Sequence, residues 1–121
     1  MFFIFLMHLV ALQFYWYYSL WYFDMIMHFL GGLWVALFFT YVFLRGKEPR
    51  PGRSLFLKVL AAMLAIGILW EFYEYYLNIV SATPWDKADT LSDIFFDLFG
   101  GLCAIIYLLV PLENQRTGNK E

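Results

Sequence analysis

Apolar residues run through this chain in four long stretches, separated by short polar or aromatic breaks. A helix that crosses the hydrocarbon core of a bilayer needs roughly 20 mostly apolar residues, and each stretch is close to that length. The pattern therefore predicts an all-α integral membrane protein built as a four-transmembrane-helix bundle. The predicted spans cover residues 2–20, 24–44, 54–80 and 90–110.

The segment 45–53 contains proline and glycine and cannot continue either neighbouring helix. Basic loops between spans stay in the cytoplasm, so this loop sets the predicted orientation. Both termini are then cytoplasmic as well, and the chain divides into a transmembrane domain over residues 1–112 and a cytoplasmic tail over 113–121. Five of the eight Lys and Arg residues lie in or beside the loop: Arg45, Lys47, Arg50, Arg53 and Lys58.

The composition agrees with a membrane location. The chain is 63% hydrophobic and 15% charged, whereas a soluble domain is about half apolar and a quarter charged. A net charge of −2 gives no basic surface for nucleic acid, and the single Cys103 excludes a disulfide within the chain.

Because the first span lacks a basic leader, we expect it to be retained rather than cleaved. The predicted location is a cell membrane, crossed several times; the oligomeric state stays open, a homo-oligomer included.

An internal repeat links the second and fourth predicted spans. The pattern D-x-x-x-[HD]-x-x-G-G-L begins at Asp24 and again at Asp93, without a gap. Spans two apart in sequence run in the same direction, so the pattern predicts two helical hairpins related as a parallel repeat. Small residues allow helix backbones to approach closely in lipid. We therefore expect these two spans to cross near the double glycines.

Carboxylates and one histidine recur at helical spacing on the outer halves of three predicted spans. Charged groups inside a membrane are costly, and they normally face a partner or a cavity. Crowded carboxylates must either take up protons or bind a cation, and both solutions stay open. The cation predicted is a divalent metal ion, Mg²⁺, Mn²⁺, Zn²⁺ or Fe²⁺; no organic cofactor and no catalytic residue are assigned. The predicted ligands are Asp24, His28, Glu71, Glu74, Asp93 and Asp97.

Simpler roles compete with this interpretation. Asp89 fits the N-cap of the fourth predicted helix, and Asp86 and Lys87 fit solvated loop charges. The first span carries His8 and Gln13, which are typical of hydrogen bonds between helices. The whole cluster of carboxylates could also be a structural hydrogen-bonded network.

The spacing of these residues resembles that of the YjdF-type bacterial inner-membrane proteins and, more distantly, of the VanZ-like family. The patterns that carry the resemblance are D-x-x-x-H from Asp24, E-x-x-E from Glu71 and D-x-x-x-D-x-x-G from Asp93, within residues 24–101. The VanZ-like resemblance implies a role in the cell envelope linked to resistance against glycopeptide antibiotics.

This chain departs from the VanZ-like pattern at three positions. Met25 stands in place of a lysine, Glu74 in place of a glutamine and Asp97 in place of an asparagine. The site is therefore more acidic than that pattern, which favours a bound cation.

Three hypotheses about function follow. The first is a cation-binding envelope protein, acting as a metal-dependent hydrolase or transferase on lipid or lipid-linked substrates. The second is a small cation- or proton-coupled transporter or relay. The third is a non-enzymatic envelope, resistance or structural protein. In all three hypotheses the protein lies in the lipid bilayer and is in contact with its lipids.

Overall fold

The computed structural model describes residues 1–45, 52–81, 84 and 86–118, with side chains up to residue 79 in the second of these ranges and up to 108 in the last. The described residues form helices without any strand, which confirms the predicted all-α class. The helices are α1 (Phe2–Gln13), α2 (Trp16–Ser19), α3 (Phe23–Leu44), α4 (Arg53–Ser81) and α5 (Lys87–Gly118).

Within the described part of the chain, three helices are long and apolar enough to cross a membrane: Phe23–Leu44, Arg53–Ile79 and Lys87–Leu108. They correspond to the predicted spans 24–44, 54–80 and 90–110. In the most apolar 18-residue segment of each helix, 17% to 33% of the segment is buried inside the protein. Most of the surface of these segments is therefore available to lipid. Most of the basic loop, residues 46–51, lies outside the described part of the chain.

The first predicted span differs from the structure. Instead of one helix over residues 2–20, α1 ends at Gln13, and Tyr15 takes a left-handed conformation with φ of 57° before α2 begins. The break allows the rings of Trp16 and Tyr17 to pack edge-on against Phe23, at 5.5 and 5.2 Å between centroids. With 12 residues, α1 is about 18 Å long, shorter than a hydrocarbon core of about 30 Å. The count of four spans therefore stays a prediction.

The closest helix packing joins α3 and α5. A Cβ at Gly32 would overlap the backbone of Asp97, and a Cβ at Gly100 would overlap the backbone carbonyl of Phe29. The two helices therefore touch backbone to backbone, as small residues allow in lipid. This confirms the expected crossing at the double glycines.

The direction of the helices follows from the same contacts. Along α3, Gly32 lies beside Asp97 and Ala36 lies beside Gly101, so α3 and α5 run parallel. On α4 the order is reversed, since Met63 approaches Gly101 and Gly67 approaches Asp97. Parallel α3 and α5 are what the predicted repeat requires, and the repeat itself stays a prediction. Farther from the carboxylates, toward the C-terminal halves of α3 and α5, the helices enclose a buried apolar core of Val35, Ala36, Val59, Met63 and Ala104.

The start of α5 corrects the predicted cap. The helix begins at Lys87, and the Asp86 carboxylate accepts a hydrogen bond of 2.8 Å from the backbone N–H of Ala88. Asp86 is therefore the capping residue and not a free loop charge, and Asp89 lies inside the first turn. At its other end α5 continues through residue 118, so part of the predicted tail 113–121 is helical.

Candidate functional site

His28 is the centre of the polar cluster, and its residue is 5% exposed. It lies on α3 one turn after Asp24, which the i, i+4 spacing places on the same face. Nε2 of His28 is 3.7 Å from Oδ1 of Asp24 and 3.7 Å from Oδ1 of Asp93 on α5. Two helices therefore direct carboxylates at one imidazole nitrogen.

Asp97 lies against the other nitrogen of the same ring. Its Oδ1 is 3.3 Å from Nδ1 of His28, and an ionised carboxylate can only accept a hydrogen bond. With the proton on Nδ1, the lone pair of Nε2 points toward Asp24 and Asp93. Gly67 on α4 leaves room for this carboxylate, because a Cβ there would lie 3.0 Å from Oδ2 of Asp97.

Two further carboxylates reach the cluster from α4. Glu71, Glu74, His28 and Asp93 each offer a ligand atom, and these four atoms lie within 4.8 Å of one another. Oε1 of Glu74 also accepts a hydrogen bond of 2.8 Å from the indole N–H of Trp70. Such an outer partner fixes the orientation of a carboxylate beside a metal. The pattern E-x-x-E therefore places both acids on the side of α4 that faces the site.

A second group of carboxylates adjoins the first. Ligand atoms of Asp24, Asp89 and Asp93 also lie within 4.8 Å of one another. Asp89 is absent from the predicted ligands because the sequence suggests an N-cap there. The signal that could have placed it is the i, i+4 spacing to Asp93, which puts both on one face of α5.

Buried oxygen atoms at the site lack hydrogen-bond partners among the described residues. They are Oδ2 of Asp93, whose residue is only 1% exposed, and Oε1 of Glu71. A buried polar atom without a partner costs free energy, about 1–3 kcal/mol, and more for a charged group. The site therefore presents acceptor oxygens to a ligand that supplies positive charge or a donor.

A cavity of about 130 Å³ opens beside the cluster. Asp24, His28 and Asp97 form its polar end, and most of the remaining wall is apolar, with side chains from α1, α3 and α4. The volume is close to the roughly 150 Å³ of an engineered protein cavity that holds a benzene molecule. The sequence does not reveal this cavity, because it depends on how α1 folds over α3 and α4.

His8 on α1 occupies the edge of the same cavity. Its Nδ1 is 2.7 Å from the hydroxyl oxygen of Tyr17, and its ring packs edge-on against Trp70 with 5.6 Å between centroids. This hydrogen bond lies within residues 2–20, the predicted first span, so the expected hydrogen bond from His8 to another span stays a prediction. Through Trp70, which also lies 6.5 Å from the His28 ring, α1 is in contact with the residues that surround the site.

Comparison with known proteins gives one family. The model of the family described as "Predicted membrane protein (DUF2238)" matches residues 1–114. The chain is also similar to inner membrane protein YjdF of Escherichia coli (strain K12), with 30% identity over 94 residues. That match covers 71% of this chain and 45% of the relative, so the chain spans less than half of the relative's length. No solved structure matches. On these matches, the chain belongs to the DUF2238 family of predicted membrane proteins and is of the YjdF type.

Proposed function

We propose that this membrane protein binds a divalent cation at the group formed by His28, Glu71, Glu74 and Asp93. The observation that carries the proposal is the buried Oε1 of Glu71, which has no hydrogen-bond partner in the described structure. Four ligand atoms within 4.8 Å of one another match the ligand number of many metal sites. One imidazole among carboxylates favours Mn²⁺, Fe²⁺ or Zn²⁺ over Ca²⁺, with Mg²⁺ as the competing hard ion.

In this proposal Asp97 acts as a positioning residue. A histidine that ligates a metal commonly donates its other ring N–H to a carboxylate, which fixes the tautomer and the ring orientation. The 3.3 Å contact between Nδ1 of His28 and Asp97 fits that arrangement and leaves Nε2 for the ion.

The cavity extends the proposal to a substrate class. A bound cation supplies Lewis-acid character and attracts an anionic group, while the apolar wall accommodates a hydrocarbon chain. An amphipathic ligand such as a lipid or a lipid-linked envelope group meets both requirements. The enzymatic form of the proposal is a metal-dependent hydrolase or transferase that acts on such a molecule.

The same proposal includes the membrane orientation. Arg45, Arg53 and Lys58 lie at the ends of α3 and α4 that are remote from the carboxylates. By the positive-inside rule these ends face the cytoplasm, so the site faces the outer side of an inner membrane and the C-terminus is cytoplasmic. The predicted span over residues 2–20, with a cytoplasmic N-terminus, and the predicted parallel repeat belong to this topology.

A second candidate function is a proton or cation relay. It is favoured by the contacts of His28, which lies 3.3 to 3.7 Å from three carboxylates on two helices. Chains of Asp, Glu and His inside a membrane form proton pathways in pumps and transporters. A relay predicts pH-driven cation flux into liposomes that Asp97→Asn abolishes, whereas a cation site without transport predicts no flux from either protein.

The cation site is tested by calorimetric titration of the purified full chain with Mn²⁺ and Zn²⁺. We expect wild type to bind, and Glu71→Gln/Glu74→Gln to bind at least tenfold more weakly, since the loss of a single supporting contact already costs 10–100-fold. Asp86→Asn is the matched control, because Asp86 caps α5 outside the candidate groups and asparagine preserves the cap. Equal binding by wild type and the double variant, or none by wild type, would contradict the proposal.

A further inference from the structure

The acidic side chains at the site form two groups that share a single residue. Asp93 belongs to the group with His28, Glu71 and Glu74, and it also belongs to the group with Asp24 and Asp89. Within each group, the ligand atoms lie within 4.8 Å of one another. The described carboxylates therefore form two overlapping groups that meet at Asp93.

Asp93 is the residue common to both groups of ligand atoms. Its residue is 1% exposed. Oδ1 is 3.7 Å from Nε2 of His28, and Oδ2 has no hydrogen-bond partner among the described residues. A carboxylate has two oxygens and can accept from a separate partner at each. The unpartnered Oδ2 is the observation, beyond the clustering of acids, that indicates a ligand.

Asp89 lacks the structural role that the sequence suggests for it. Asp86 caps α5 through the backbone N–H of Ala88, so the carboxylate of Asp89 is not needed there. One turn later on the same helix is Asp93, and Asp24 approaches both from α3. Three ionised carboxylates this close repel one another, and either a bound cation or protonation relieves the repulsion.

We propose that the site holds two divalent cations, the second bound by Asp24, Asp89 and Asp93, with Asp93 as the bridging carboxylate. This inference rests on the proposed function, which assigns the first ion to His28, Glu71 and Glu74. The second position offers oxygen ligands alone, and it therefore selects hard ions such as Mg²⁺, Mn²⁺ or Ca²⁺. The exposed Asp89 gives this ion direct access from the surface.

The experiment counts Mn²⁺ in the full chain, purified in detergent and separated from free ions, by mass spectrometry of the metal. We expect two ions per wild-type chain and one in each of two isosteric double variants, Asp24→Asn/Asp89→Asn and Glu71→Gln/Glu74→Gln. Asp86→Asn, which changes an acidic residue outside both groups, keeps two. Electron paramagnetic resonance of the wild type should show a pair of coupled Mn²⁺ ions, because bridged ions lie about 3.5–4 Å apart in two-metal sites.

The outcomes separate this inference from the proposed function. A single uncoupled ion that is lost in Glu71→Gln/Glu74→Gln, but kept in Asp24→Asn/Asp89→Asn, overturns the second position and leaves the first. No bound ion in the wild type overturns both. The number of Mn²⁺ ions bound per wild-type chain and the wild-type resonance spectrum decide between one ion and two, even if a variant fails to fold.

Discussion

Substitution of Asp93 by asparagine is expected to abolish the thermal stabilisation that Mn²⁺ gives to the wild-type protein. Asp93 belongs to both groups of ligand atoms, so the substitution removes a charged ligand from each. A ligand at 100 times its dissociation constant stabilises a folded protein by about 2.7 kcal/mol. We expect wild type to gain about this amount and Asp93→Asn to gain close to none. Thermal unfolding in detergent, with Mn²⁺ and with a chelator, measures the difference.

The same variant should behave in the opposite way when the chelator is present. Without a cation, Asp93 is a buried carboxylate with an unpartnered oxygen, and burial of an uncompensated charge is costly. The neutral amide has the same shape, so Asp93→Asn should be more stable than wild type by about 1–3 kcal/mol. Asp86→Asn is the control and should follow wild type in both buffers. An Asp93→Asn protein that is less stable under chelator, and is still stabilised by Mn²⁺, would contradict the account.

Replacement of Gly32 by alanine is expected to separate α3 from α5. The added Cβ would overlap the backbone of Asp97, and backbone atoms cannot turn aside as a flexible side chain can. Overpacking of a close contact costs about 1–3 kcal/mol, and we expect a loss near the upper end, about 3 kcal/mol, in thermal unfolding. Because Asp97 and Asp93 lie on the displaced helix, the variant should also bind Mn²⁺ more weakly.

Gly31 provides a matched control for this prediction, since it is the preceding residue and the chemical change is the same. A Cβ at Gly31 would lie 3.9 Å from Oδ1 of Asp97, which is an ordinary contact, and Gly31 borders the cavity. Gly31→Ala should therefore unfold within about 1 kcal/mol of wild type. Equal destabilisation by the two alanines would show that the effect comes from the loss of glycine in α3 and not from the crossing.

The long helices and their polar faces could be predicted because both depend on local sequence. An apolar window of about 20 residues correctly indicated the long helices α3, α4 and α5, and i, i+4 spacing places Asp24 with His28 and Asp93 with Asp97 on one face. The double glycines also indicate the crossing of α3 and α5, since close approach in lipid requires small residues. Each of these features can be recognised without knowing how the helices pack.

Features that depend on packing could not be predicted. A hydropathy pattern does not contain the break at Tyr15, nor the contacts of Trp16 and Tyr17 with Phe23 that the break allows. Asp86 and Asp89 are equally suitable caps by composition, and the start of α5 decides between them. The position of Asp97 against Nδ1 of His28 depends on the rotation of α5 about its own axis. The cavity exists only once α1 lies against α3 and α4.

The proposed cation lies beside Nε2 of His28, within the membrane-spanning helices. The chain contains two histidines, so ¹⁵N-histidine labelling of the Mn²⁺-loaded protein reports on His8 and His28 alone. Pulsed electron–nuclear spectroscopy should show a directly coordinated ¹⁵N that persists in His8→Gln and disappears in His28→Gln. A spectrum without nitrogen coupling, or a coupling that survives in His28→Gln, would contradict the account.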